Sequence, residues 1–267
     1  RLRSPAMRDA VRHPLAAALL VIAPAMALGT RALGAQTVAP ADTGRVGDLP
    51  VVEVRHTAAG PASGTLAVLL TGDGDWADLV QTVSRTLAAS GADVVVLKAR
   101  AYLSSRTATA ESSAADVARL ARTYGARWGT RRVALVGYSR GADMLPFVAT
   151  RLPEDVRRRV GAAVMFGLAT RASFEFHWAD LVKDTNRPTD LAIGPELPRM
   201  RAALREARLV CVYGDDEKDS GCRDADPGVI MRIARSGQHH FDGDYAGLGR
   251  VVLDALAGTA AASTGTP

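Results

Sequence analysis

The residues of this chain whose types and spacing fit them for chemistry are a serine, a pair of histidines and a run of acids between them. Ser139 lies in Gly-Tyr-Ser-Arg-Gly at positions 137 to 141. A Gly-x-Ser-x-Gly pentapeptide alone is a weak pattern, and its surroundings give it force. The apolar run Val133-Ala134-Leu135-Val136 leads into it and Ala142 to Phe147 continues as a helix. That is the strand, turn and helix in which a serine hydroxyl stands exposed as a nucleophile for acyl transfer. The turn strains the serine backbone and brings strand and helix close, which explains glycine on either side. The helix also directs its positive end at developing negative charge. A purely structural turn is the competing reading.

A serine hydroxyl needs a base, and in sites of this kind the chain order is serine, acid, histidine. Ser236-Gly237-Gln238-His239-His240-Phe241 follows the last expected strand. His239 is the expected base, and His240 a supporting neighbour or a loop cap. His13, His56 and His177 fall in a leader, an early strand and a long loop. The acid should follow the preceding strand, where Gly214-Asp215-Asp216-Glu217-Lys218-Asp219 offers several. A spacing of three residues from the glycine selects Glu217, with Asp219 as the alternative.

An oxyanion would be held by the backbone N–H of Arg140 and by a loop after an early strand. Thr71-Gly72-Asp73-Gly74-Asp75-Trp76 is that loop, with Asp73 and Gly74 as donors. A phosphate-binding loop is the rival for these glycines, but its Lys and Ser/Thr are missing. Asp73, Asp75, Asp215 and Asp216, with Trp76 beside them, could meet a cationic part of a substrate. For the acids left over, a solvated turn is the plainer reading.

These residues must be positioned by a frame, and the chain alternates short apolar runs with longer stretches of helical period. That is the pattern of an α/β protein, a mostly parallel sheet with helices on both faces. Strands are expected at 51–54, 66–70, 94–97, 133–136, 163–166, 209–212 and 229–233. The clearest helices are expected at 76–89, 112–128, 142–151 and 245–256. Residues 170–198 interrupt this rhythm with three prolines and with Phe174, Phe176 and Trp178, and are expected to form a lid or an aromatic-plugged surface excursion. Residues 49–259 are the expected catalytic domain, with a linker at 36–48 and a frayed tail at 260–267.

Residues 1–35 read as a secretory signal: Met7, then Arg8 and Arg12, then an apolar run from Leu15 to Leu28. The small residues of Ala32-Leu33-Gly34 place cleavage after Gly34 or Ala35. A retained anchor is the alternative, but a membrane span needs about 20 apolar residues and this run is shorter and contains Pro24. The segment also accounts for the charge. The whole chain's formal charge is +5, and this segment holds five arginines and one acid, which leaves 28 basic against 27 acidic side chains in the rest. A nucleic-acid role therefore loses its electrostatic support. In an exported protein the two cysteines, Cys211 and Cys222, are read as a disulfide clamping the acidic loop. A metal site with His239 and His240 lacks a recognised ligand spacing.

Taken together, these motifs resemble those of the VirJ/AcvB family of bacterial virulence proteins. The resemblance runs over residues 50–258 and is carried by Thr-Gly-Asp-Gly-Asp-Trp at 71–76, Tyr-Gly-Ala-Arg-Trp-Gly at 124–129 and Val-Gly-Tyr-Ser-Arg-Gly-Ala-Asp-Met-Leu-Pro at 136–146. Phe174-Glu175-Phe176-His177, the cysteine-bracketed acids and Gly-Gln-His-His-Phe at 237–241 add to it. It implies an α/β-hydrolase fold, a periplasmic location, hydrolysis of the aminoacyl ester of lysyl-phosphatidylglycerol and an association with type IV secretion. No metal or organic cofactor is implied. The chain departs from the family pattern at Asp75, where glycine is usual, and at Arg140, where a bulky apolar residue is frequent. A non-catalytic periplasmic adaptor and a general carboxylesterase are the alternative functions.

Overall fold

The computed structural model describes residues 45–57, 62–177 and 187–258. The expected signal, most of the linker, Trp178 and the tail lie outside the described residues. All seven expected strands form, joined by three short ones. In chain order the strands are β1 (Arg45–Val46), β2 (Leu49–Val54), β3 (Thr65–Leu70), β4 (Asp93–Leu97), β5 (Arg132–Tyr138), β6 (Val160–Phe166), β7 (Arg171–Ala172), β8 (Leu191–Ala192), β9 (Arg208–Gly214) and β10 (Met231–Arg235). The helices are α1 (Asp78–Ala89), α2 (Ala99–Ser104), α3 (Ala110–Trp128), α4 (Arg140–Arg151), α5 (Glu154–Arg157), α6 (Glu196–Ala203), α7 (Gly221–Asp224) and α8 (Tyr245–Ala257).

Eight strands make one sheet in the order β1-β2-β4-β3-β5-β6-β9-β10. From β4 to β10 the neighbours are parallel, and β2 pairs antiparallel with β4. Both faces are covered, so beyond their first residues the central strands are nearly continuous apolar runs, and their alternation sorts side chains between two cores. Leu66, Val68 and Leu70 of β3, with Val133 and Leu135 of β5, pack toward α3, α4 and α6. Ala67, Leu69, Ala134 and Val136 point the other way, toward α1 and α8.

Where boundaries differ from the sequence reading, local hydrogen bonds account for it. The last strand begins two residues later than expected because the N–H groups of Val229 and Ile230 both donate to the Asp226 carbonyl and close a turn. The first helix starts at Asp78 rather than Trp76 because residues 72–75 form a turn, with Asp75 N–H donating to the Gly72 carbonyl. The next long helix starts earlier, at Ala110, since Thr109 and Ser112 cap it reciprocally. In the long 170–198 stretch, β7 pairs antiparallel with β8, and Phe174 packs edge-on against Phe147 of α4 at 6.0 Å.

Cys211 of β9 and Cys222 of α7 form a disulfide, with Cα atoms 5.5 Å apart. This removes both thiols from any metal-ligand role. The bridge closes a short loop around the acids, and both cysteines are fully buried. Replacing both by serine is expected to lower the unfolding free energy by about 2 to 3 kcal/mol, measured by urea denaturation. Wild-type protein under reductant should move to the same midpoint.

Candidate active site

The turn between β5 and α4 holds Ser139 at φ 52° and ψ −125°, a strained conformation costing about 1–3 kcal/mol. Surrounding bonds hold it there. Ser139 N–H donates to the Phe166 carbonyl at the end of β6, and its own carbonyl accepts from Asp143 N–H, at 2.9 and 3.0 Å. Close backbone approach explains the glycines. A Cβ on Gly141 would strike the Leu70 carbonyl, and one on Gly137 would lie 2.5 Å from the Gly141 carbonyl. A third glycine, Gly72, was not singled out from sequence. Its Cβ would sit 2.9 Å from that of Ser139, so the loop after β3 passes directly over the serine.

His239 follows β10 and comes to the same sheet edge. Its ring lies against Gly167, where a Cβ would be 2.6 Å from Cε1, and stands 5.4 Å from the Tyr138 ring. Glu217 Oε1 is 2.6 Å from His239 Nδ1, and Glu217 Oε2 accepts from Gly214 N–H at 3.3 Å. Of the two acids expected after β9, Glu217 is thus the one bonded to the imidazole, and Asp219 lies on the cleft wall. His240 turns away to pair its Nδ1 with the Tyr138 hydroxyl at 3.1 Å.

Burial lowers the His239 pKa, but the hydrogen bond and charge of Glu217, with a smaller attraction from Asp143, raise it on balance. Burial likewise opposes the Glu217 charge. The bond and charge of His239, Gly214 N–H and Arg223 outweigh it and hold the carboxyl below its ordinary value. The attraction is therefore lost when pH falls through the Glu217 titration or rises through that of His239.

Two cavities, of about 650 and 570 Å³, share Ser139, Asp143 and Ala169 in their walls. The smaller one contains His239, Glu217 and Asp216. The larger runs past Asp73 and Arg140 toward Arg171 and Asp190. Asp73 is gripped by the Arg140 guanidinium, Nε at 2.5 Å and Nη2 at 2.9 Å, which ties the loop after β3 to the first turn of α4.

Several sequence assignments need correction. Asp75 does not face the cleft. Its carboxylate accepts from Arg100 N–H and pairs with the Arg100 side chain, fixing a turn whose φ at Asp75 is 48°. Asp215 accepts from Gly237 N–H at 2.8 Å and braces the histidine loop. Trp76 packs on the α1 side core, and Gly74 abuts Ala77. None of these four lines either cavity. Asp143 does line both, and the sequence reading passed over it. Its signal was the helical period, since four residues beyond Ser139 is the same face of α4.

In fold the chain is similar to a putative dienelactone hydrolase from Klebsiella pneumoniae, at 14% identity and TM-score 0.51 over 78% of this chain and 92% of that one. It is also similar to an α/β serine hydrolase homologue from Coxiella burnetii, at 15% identity and TM-score 0.50 over 77% and 90%. No curated protein matches it. The architecture is the α/β-hydrolase fold, and the site is a serine on its strand-to-helix turn. More particularly, the chain belongs to the bacterial virulence protein (VirJ) family, whose model matches residues 64–260.

NMR titration of the imidazoles is expected to put His239 above 6.5, the ordinary histidine value. In Glu217→Gln it should fall, because burial then acts against only the weaker pull of Asp143. An unchanged titration would show that the pair at 2.6 Å does not form in solution.

Proposed function

We propose that this protein hydrolyses carboxylic esters through a covalent acyl-enzyme on Ser139. The observation that carries the reading is one cleft holding a strained turn serine and an imidazole whose Nδ1 is bound to a carboxylate at 2.6 Å. With Nδ1 engaged by Glu217, His239 presents Nε2 as the base. It takes the Ser139 proton as Oγ attacks the ester carbonyl, and the N–H groups of Arg140 and Asp73 hold the oxyanion. As the tetrahedral intermediate collapses, the alcohol leaves with the proton from His239. Water, deprotonated by the same imidazole, then attacks the acyl-enzyme and restores Ser139.

A fluorophosphonate probe should label wild-type protein and leave Ser139→Ala unlabelled. Glu217→Gln should lower kcat by roughly 10⁴-fold if it acts as the orienting aspartate of serine proteases does. Labelling that survives in Ser139→Ala would refute Ser139 as the nucleophile, and wild-type protein that takes no label would favour a non-catalytic adaptor.

For the substrate, the proposal is the aminoacyl ester of lysyl-phosphatidylglycerol at the periplasmic membrane surface, where the enzyme would work alongside type IV secretion components. Three features support this: membership of the VirJ family, the Cys211–Cys222 disulfide that suits an oxidising compartment, and Asp143 and Asp219, which line both cavities at the serine and suit an ammonium group. Lipid analysis of cells making wild-type protein should find less lysyl-phosphatidylglycerol than in cells making Ser139→Ala. Equal amounts would overturn the substrate while leaving the ester chemistry to the probe experiment.

A further inference from the structure

An apolar pocket of about 390 Å³ lies beside the serine cleft and has no part in the chemistry above. Ile193, Leu197, Ala225 and Val229 form its apolar walls, with Gly194 among them. Ala169, Thr170 and Asp224 line this pocket and also the larger cavity at Ser139, so the two spaces meet along that wall.

The pocket is preformed. Ile193, Leu197 and Ala225 are buried. Ile193 N–H donates to the Thr170 carbonyl at 3.0 Å, and Gly221 N–H to the Leu168 carbonyl at 2.7 Å. On the far side the disulfide fastens α7 to β9. A Cβ on Gly221 would collide with the Ala169 carbonyl, so this wall reaches its position because residue 221 has no side chain. A rigid apolar recess opening on a polar cleft takes a hydrocarbon group whose reactive end stays in the polar part.

Which arm of an ester enters follows from the proton path, and here the inference rests on the hydrolase reading of Ser139. The alcohol oxygen must receive its proton from His239, so the alcohol arm occupies the smaller cavity that contains that ring. The acyl arm then extends through the larger cavity toward Ala169 and Thr170. We propose that the pocket behind them is the acyl-side subsite and takes an unbranched aliphatic stem of the acyl group.

Gly194 allows a test that leaves the fold in place. Gly194 is exposed at the pocket rim, its φ is not positive and a Cβ there meets nothing within 4 Å, so Gly194→Leu adds bulk at the rim without backbone strain. The ratio of kcat/KM for a hexanoyl over an acetyl ester of the same alcohol should fall by about tenfold or more. General damage would lower both rates and leave the ratio alone, and an unchanged ratio overturns the proposal. In Ser139→Ala protein, a hexanoyl ester should shift the NMR methyl signals of Ile193, Leu197 and Val229, and hexyl acetate, with its hydrocarbon on the alcohol arm, should not. No shift with the hexanoyl ester, or an equal one with hexyl acetate, overturns the assignment. The methyl shifts need no turnover, so they decide the pocket's occupant even if wild-type protein cleaves no ester, a result that would count against the function proposed for Ser139.

Discussion

The backbone at Ser139 is held in a conformation that a lone chain would avoid, and much of the surrounding architecture exists to hold it. A φ of 52° on a residue with a side chain persists only where neighbours over-determine it. Here β6 supplies a carbonyl to the serine N–H and α4 grips the serine carbonyl. Strands β3 and β5 approach so closely that Gly72, Gly137 and Gly141 have no room for side chains. The parallel sheet serves this end, since adjacent parallel strands finish at one edge and their following loops gather there. Gly72 after β3, Ser139 after β5, Gly167 after β6, Glu217 after β9 and His239 after β10 all reach the cleft in this way.

The second organising force is the cost of burying charge. Carboxylates taken from water are stable only with hydrogen bonds or counter-charges, and near this cleft most of them have found such partners. Asp73 is bound to Arg140, Asp75 to Arg100, Asp215 to a backbone N–H, and Glu217 to His239 and Gly214. An acid-rich stretch is thereby divided into braces and cleft walls. The aspartates that read as substrate contacts in a linear sequence are partly the fasteners that hold the loops in place. Arg140 is half of one such fastener.

The disulfide and the wall it supports extend the same logic to the apolar pocket. Cys211 lies inside the sheet and Cys222 in a single helical turn, so the bridge anchors a short, otherwise weak element to the rigid core. One linkage steadies the loop carrying Glu217 and the segment bounding the apolar pocket.

Much of this was legible in the sequence. Seven of the eight strands of the main sheet, the serine turn and the order of serine, acid and histidine follow from apolar periodicity, glycine placement and spacing, all of them local properties, and the cysteine pairing from there being two cysteines in a chain expected to be exported. Glu217 could be ranked above Asp219 by spacing alone, but the bond to His239 depends on where two loops 22 residues apart converge. The unmarked importance of Gly72 and Asp143, the diversion of Asp75 and Asp215 into structural bonds, and the apolar pocket behind Ala169 were decided by tertiary structure. A sequence states which groups a chain carries and which short-range conformations they favour. Whether a carboxylate meets a guanidinium, a backbone N–H or open space depends on which distant segments the sheet brings to one edge.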